Sequence, residues 1–451
     1  MCNSHIGYSG GRYHAWMMAE ALASFGHQVT VWTNNVPGFL NDFKDYPGHQ
    51  SIILHCTKEF REQPRNNFDL VILVPHIGEA MSDLYHKSVL LKYINGAKFV
   101  LLNFETPNWF NQLSPEKRSP ALWNNWKQVS LIADLVLSSS IEGNRYARKF
   151  YLEVPSSTLF RHCYPSINSL LADKVIVRHK RKQIICFTRF GKGNTHKGGT
   201  ELLKAAAPAI AGCELVVVIG SGFIKPELEK KFHNYAEDNN FSVRFLYNLT
   251  DKEKFKEIKQ STLMLFLSFF EGFGYPPIEA IYSGIPCIAY DLPVLREICG
   301  DLLYYVRRGD EIKLQKMILE ILQKPPPGAI TKQKKIAPIA CFQNYEYNLN
   351  AIISQLFTLS QSRLSYDPLY HMFWDWYWQI FNELKNVEQN LEVEKAEHRL
   401  TQRKFLKLQN KLEQLRNDPI VRIRFALGRR FKRLIPKLLL KNYREKFEKF
   451  L

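Results

Sequence analysis

The sequence predicts an α/β protein: two Rossmann-like lobes built on parallel sheets, followed by a C-terminal helical extension. Three observations carry this expectation. Short apolar runs rich in β-branched residues alternate with amphipathic helical stretches, the pattern of βαβ units. The alternation occurs as two successive series with one charged joint, Arg178 to Lys182, between them. Beyond Pro325-Pro326-Pro327-Gly328, which end the last regular helix of the second series, only helical pattern continues.

In the first series the expected strands are Gln28 to Thr33, Ser51 to His55, Asp69 to Pro75, Lys98 to Glu105 and Asp134 to Ser138. Helix is expected over Arg12 to Phe25, and Ser139 with Glu142 has the spacing of a capping box opening a helix through Arg148. In the second series the strands are Gln183 to Arg189, Glu214 to Gly220, Ser242 to Tyr247, Thr262 to Ser268, Pro286 to Tyr290 and Leu302 to Val306. Helices there include Gly199 to Ile210 and Pro277 to Ser283. The expected domains are residues 1–175 (first lobe), 176–340 (second lobe), 341–383 (helices crossing back to the first lobe) and 384–451 (a charged, basic helical tail). A lobe of this kind normally opens with a strand feeding its first glycine loop, and Met1 to Ile6 does not read as one. The lobe either departs from the pattern or starts upstream.

Composition bounds the function. The chain has 451 residues and 45% hydrophobic content, enough for a core in each of two lobes. Eight cysteines occur singly, with no C-x-x-C pair, which fits reduced thiols rather than a disulfide frame or a zinc site. No basic-then-apolar leader opens the chain. Apolar runs such as Leu263 to Phe270 fall well short of the ~20 residues of a spanning helix. A cytoplasmic protein, soluble or peripheral on the inner face of the membrane, is expected.

The net charge is +18, and residues 419–451 hold 11 Lys/Arg against 2 Glu, half of that excess. A charge so concentrated, with no recognition motif, argues for a local partner and against nucleic acid. Within 420–440, Ile420, Ile423, Leu427, Phe431, Leu434 and Leu438 keep helical spacing while Arg422, Arg429, Arg433 and Lys437 face the other way. That is the pattern of an interfacial helix on an anionic membrane surface, weakened by Gly428 and Pro436. Packing against the protein itself or a partner is the alternative. Residues 387–415 carry a patchy heptad, clean only at Phe405, Leu408, Leu412 and Leu415, which fits a coiled-coil oligomer or an amphipathic surface helix. Trp374, Trp376 and Trp378 read as core packing rather than a sugar platform.

The strongest chemical signal is Phe269-Phe270-Glu271-Gly272-Phe273-Gly274-Tyr275-Pro276-Pro277-Ile278-Glu279-Ala280, placed after an apolar strand and before a helix. Gly272 and Gly274 allow close backbone approach, and Pro276 and Pro277 suit a first helical turn. Amides left free at that helix start favour an anion. Glu271 in the loop and Glu279 in the first helical turn can converge on one ligand, where carboxylates accept hydrogen bonds from the hydroxyl pairs of a sugar or ribose. Arg189 ends a strand and Lys197 opens a helix, so the two cations can grip a diphosphate. Lys192 is a stand-in for Lys197 because the intervening loop is long. Asp251 and the Lys-rich Lys252 to Lys259 read as an exposed helix face. No D-x-D pair precedes a donor loop, so neither an essential metal nor a cofactor is expected.

From Gly7 to Gln355 these residues resemble, in order, a retaining glycosyltransferase of family four, glycosyl transferases group 1, with the GT-B fold. The resemblance rests on Glu271-Gly272-Phe273-Gly274, on Pro276 to Ala280, and on Gly284-Ile285-Pro286-Cys287-Ile288-Ala289. It implies that Glu271 contacts the donor sugar, Glu279 holds the nucleotide ribose, and Arg189 with Lys197 neutralises the leaving diphosphate. It also implies that Gly10-Gly11 lies at the interlobe cleft near donor phosphates and acceptor. Phe273 belongs to the same donor loop. One departure stands out: many family members carry a histidine after the strand matching Lys98 to Phe104, and this chain reads Asn103-Phe104-Glu105. Either Asn103 or Glu105 contacts the sugar instead, or both only pack the loop. The expected partners are a nucleotide-sugar donor and a saccharide or lipid-linked acceptor, in synthesis of cell-surface polysaccharide, lipopolysaccharide or glycolipid. The alternative is a non-catalytic scaffold acting through its helical tail, distinguished by absent nucleotide-sugar binding.

Overall fold

The computed structural model describes residues 10–60, 64, 67–78, 82–191, 193–220, 222–358, 382 and 398–417. The chain divides into two compact units, Met1–Leu364 and Ser365–Leu451. In the second, helix His398–Asn417 carries buried Leu408 and Leu412 and exposed Leu406. The expectations for 366–381, for 387–397 and for the basic segment 420–440 lie outside the described residues, as does Lys192. Among the described residues no helix is long and apolar enough to cross a membrane.

The first unit is α/β, with every ladder parallel. In its first lobe β1 (Thr30–Thr33) pairs with β2 (Ile53–Cys56). A second sheet runs in the order β3 (Leu70–Leu73), β4 (Lys98–Asn103), β5 (Leu135–Ser138), β6 (Leu159–His162). Among the described residues no ladder joins the two sheets. β4 is buried along its whole length, as a central parallel strand covered on both faces must be, and this is why it reads as a continuous apolar run.

In the second lobe β7 (Gln183–Thr188), β8 (Glu214–Ile219), β9 (Ser242–Tyr247), β10 (Leu263–Phe266), β11 (Cys287–Tyr290) and β12 (Tyr304–Val306) form one sheet in the order β12-β11-β10-β7-β8-β9. Chain order reverses direction between β7 and β10. Connections therefore leave those two strands toward opposite sides and open a crevice at their carboxyl ends.

Each lobe has its own core. Ile184, Leu215, Val217, Leu265 and Ile288 centre the second. The first combines Tyr13, Met17, Val100, Leu102 and Leu135 with Tyr345, Leu349, Ile353 and Leu356 from helix Phe342–Thr358. That helix, reached after the second lobe is complete, lays its apolar stripe along helix Gly10–Ser24. His14 Nε2 meets Tyr345 Oη at 3.1 Å there, and burial pulls the imidazole down to about 3, so it stays neutral.

One local expectation is corrected, and two elements have no counterpart in the sequence reading. The cap of helix Ile141–Phe150 is Ser140, whose side chain accepts from Gly143 N, while Ser139 Oγ donates to Gly272 O at 3.1 Å in the other lobe. β6 and helix Ala329–Ala340 went unread: β6 is four residues without alternation, and the helix follows three prolines and contains Pro338.

Candidate active site in the interlobe cleft

Arg189 is the first residue after β7, and Lys197 closes the 3-10 turn Thr195–Lys197 on the far side of the following loop. After β10, the chain passes through Glu271 and Gly272 to Gly274, which enters helix Tyr275–Tyr282 at φ +94°. Only glycine takes that conformation without strain. Gly272 is required for a different reason: a Cβ there would lie 2.4 Å from Phe104 O of the first lobe. Gly272 thus lets this loop and the first lobe close on one another, while Gly274 sets the entry of the helix.

Arg189, Lys197, Glu271, Gly272, Phe273, Gly274 and Glu279 all line one cavity of ≈ 640 Å³, with Gly10, Gly11 and Glu105 on its first-lobe side. Lys197 Nζ donates to Glu271 Oε1 at 2.7 Å. Glu279 lies in the second turn of its helix rather than the first and is 1% exposed. Phe273 is buried and packs edge-on against Tyr275 at 5.2 Å.

Of the two residues standing where a histidine is common, only Glu105 reaches the cavity. Asn103 is corrected to a structural role. Its Nδ2 donates to Ser138 Oγ at 3.2 Å and Gly143 O at 3.3 Å, and its Oδ1 accepts from Tyr151 Oη, so it ties β4 to β5 and the helix beyond. Glu105 pairs with Arg118 Nη1 at 3.2 Å, and Arg118 Nη2 reaches across to Gly193 O at 2.8 Å. Burial pushes the Glu105 carboxyl up to about 7 against the pull of Arg118 and Lys197, with Glu271 adding to the rise.

The site includes residues that sequence reasoning missed. Helix Asp251–Gln260 is not an exposed face throughout: Asp251 and Lys254 are 2% and 7% exposed and line the cavity. Thr250 caps this helix with a capping box and aims its first turn into the cleft. The signal was present, because Asp251 and Lys254 share one helical face with the large apolar residues Phe255 and Ile258. Arg118, in the loop after helix Pro107–Leu113, and His196 had no such signal. His196 is buried against Phe110 and Phe270. Burial, then Lys197, Arg118 and Arg189, hold it down to about 2, so it is a neutral group among cations.

Residues 172–337 match the family described as glycosyl transferases group 1. The O-antigen chain mannosyltransferase RfbU of Salmonella typhimurium is 36% identical over 83 residues, 18% of this chain and 24% of that protein. The chain therefore matches about a quarter of that relative's length. Among solved structures, Anabaena Alr3699/HepE in complex with UDP and glucose superposes with a TM-score of 0.58 at 15% identity, covering 78% of this chain and 98% of that one. Sucrose-phosphate synthase from Thermosynechococcus elongatus gives 0.57 at 16% identity, covering 79% and 96%. The fold is GT-B, and the resemblance to group 1 glycosyl transferases is carried by the second lobe.

Proposed function

We propose that this chain, whose second lobe carries the glycosyl transferases group 1 signature, is a retaining glycosyltransferase that moves a sugar from a nucleotide-diphosphate donor to a saccharide or lipid-linked acceptor. One observation carries the reading: two cations from the segment after β7 and two carboxylates from the loop and helix after β10 line a single cavity at the switch point between those strands. The relatives support the class. One is an O-antigen chain mannosyltransferase and another structure holds UDP and glucose, so assembly of a cell-surface polysaccharide is the setting we favour.

In this reading the diphosphate lies against Arg189 and Lys197, with the dipole of helix Tyr275–Tyr282 adding partial positive charge, although Pro276 and Pro277 contribute no amide hydrogen there. Glu271 takes the hydroxyls of the donor sugar, and Glu279 takes those of the ribose. Glu105 and Arg118 face the sugar from the first lobe, at the level where the acceptor enters past Pro75, His76 and Ile77. As the bond to the leaving phosphate opens toward an oxocarbenium-like state, charge grows on the diphosphate. Preorganised cations stabilise it, and a phosphate leaving group needs no general acid. No cofactor and no covalent nucleophile is invoked.

A thermal-shift screen of nucleotide sugars identifies the donor, because a ligand that binds only the folded state raises Tm by mass action. With that donor, Glu271→Ala and Lys197→Ala each lower transfer about 100-fold or more while the proteins stay folded. Wild-type turnover in both variants would sink the assignment. The anomeric configuration of the product, read by NMR, tests retention separately.

A further inference from the structure

We infer that Lys254 is a positioning residue for the donor: it holds the Glu279 carboxylate in the orientation that accepts the ribose hydroxyls, and first-lobe side chains fix Lys254 through Asp251. The inference rests on the reading in which Glu279 holds the ribose. Lys254 Nζ donates to Glu279 Oε1 at 2.6 Å and to Asp251 Oδ1 at 2.6 Å, with 9% of its side chain exposed. Asp251 in turn accepts from Asn168 Nδ2 at 3.0 Å and from Tyr13 Oη, both first-lobe groups. Glu279, Lys254 and Asp251 all border the cavity. The chain of contacts thus runs from the first lobe to the carboxylate assigned to the ribose.

The physical need for Lys254 is clear from its surroundings. Burial drives the Glu279 carboxyl toward its neutral form, Lys254 is the charge that opposes this, and Asp251 works against it. A neutral carboxyl offers a hydrogen to one side and a weaker acceptor to the other, a poor match for two hydroxyls. The Lys254 ammonium on Oε1 favours the ionised, hydrogen-bond-accepting form of the carboxyl.

The test is calorimetry on the full chain with ADP, GDP, CDP and UDP and with their 2′-deoxy counterparts, the ratio of the two affinities being taken for the tightest-binding base. Wild type is expected to prefer the ribonucleotide about tenfold or more, the worth of one hydrogen bond to a charged group. Lys254→Met brings the ratio to near one, as Glu279→Gln does, while Lys254→Arg keeps most of it. Should Lys254→Met not fold, Lys254→Met/Asp251→Asn, which removes one charge of each sign, reports the same ratio. A wild-type ratio retained by both lysine variants but lost in Glu279→Gln overturns the role of Lys254 alone. A ratio of one in wild type overturns the ribose reading of Glu279, and this inference with it.

Discussion

Glu105 shows how one side chain can set the charge of the whole cleft. Its carboxyl sits beside Arg118 and near Lys197 and Glu271, and burial raises it to about 7. The sign follows directly. Below pH 7 the group is protonated, Arg118 is left unneutralised, and the cleft is more positive. Above pH 7 it ionises and opposes an incoming diphosphate. A nucleotide sugar has no proton to exchange in this range, so its affinity should fall about three- to tenfold between pH 6 and pH 8. Glu105→Gln should hold the low-pH affinity throughout, which titration calorimetry at the two pH values checks. An unchanged slope in the variant would place the titrating group elsewhere. The same residue marks a limit of reading side chains from sequence. Asn103 and Glu105 are equivalent candidates there, and the end of β4 separates them: Asn103 is the last residue of the strand, bonded to Ser138, Gly143 and Tyr151, while Glu105 lies in the loop beyond it, beside Arg118.

At the scale of elements, β7, β8 and β10 of the second lobe were legible because they are buried on both faces, so their apolar runs are nearly unbroken. The segment Glu271 to Glu279 was legible because two glycines, two prolines and two acids fall between an apolar strand and a helix. What escaped were elements whose reason lies in distant parts of the chain. β6 is held by pairing with β5, and Lys254 is buried by first-lobe groups more than 80 residues away in sequence, as the contact between Asn168 and Asp251 illustrates. Helix Phe342–Thr358 has the opposite character: its stripe of Tyr345, Leu349, Ile353 and Leu356 is plain in sequence, while its partner is not. Leu349 is 0% exposed within the first-lobe core. Leu349→Ala should therefore cost about 2–5 kcal/mol in denaturant unfolding. It should do so in the transition of the first lobe, although the residue follows the second lobe in the chain. A loss below 1 kcal/mol would mean that the helix is an ornament on that core.

Across the first unit, Met1–Leu364, the lobes meet through polar contacts on several sides of the cavity. Glu116 Oε2 accepts from Gly193 N and Thr195 Oγ1, each at 3.2 Å, and so holds the loop that carries Lys197. Ser139 bonds Gly272 O beside Glu271. On a third side the Glu297 carboxylate, from the second-lobe helix Pro293–Cys299, accepts from Ile141 N at 2.7 Å and Glu142 N at 2.8 Å. A carboxylate on the free amides of a helix N-terminus gains from both hydrogen bonds and dipole, and here the helix belongs to the other lobe. Because Glu297 stands outside the cavity, its loss should leave the chemistry of bound donor nearly intact and act on how readily the lobes come together. Glu297→Ala should thus raise KM for the donor about three- to tenfold with kcat changed less than twofold, and Tm should move little, since each lobe keeps its own core. Steady-state kinetics beside a melting curve separate the outcomes. A fall in kcat with KM unchanged would show that Glu297 shapes the bound state itself, and that closure is already complete before the donor arrives.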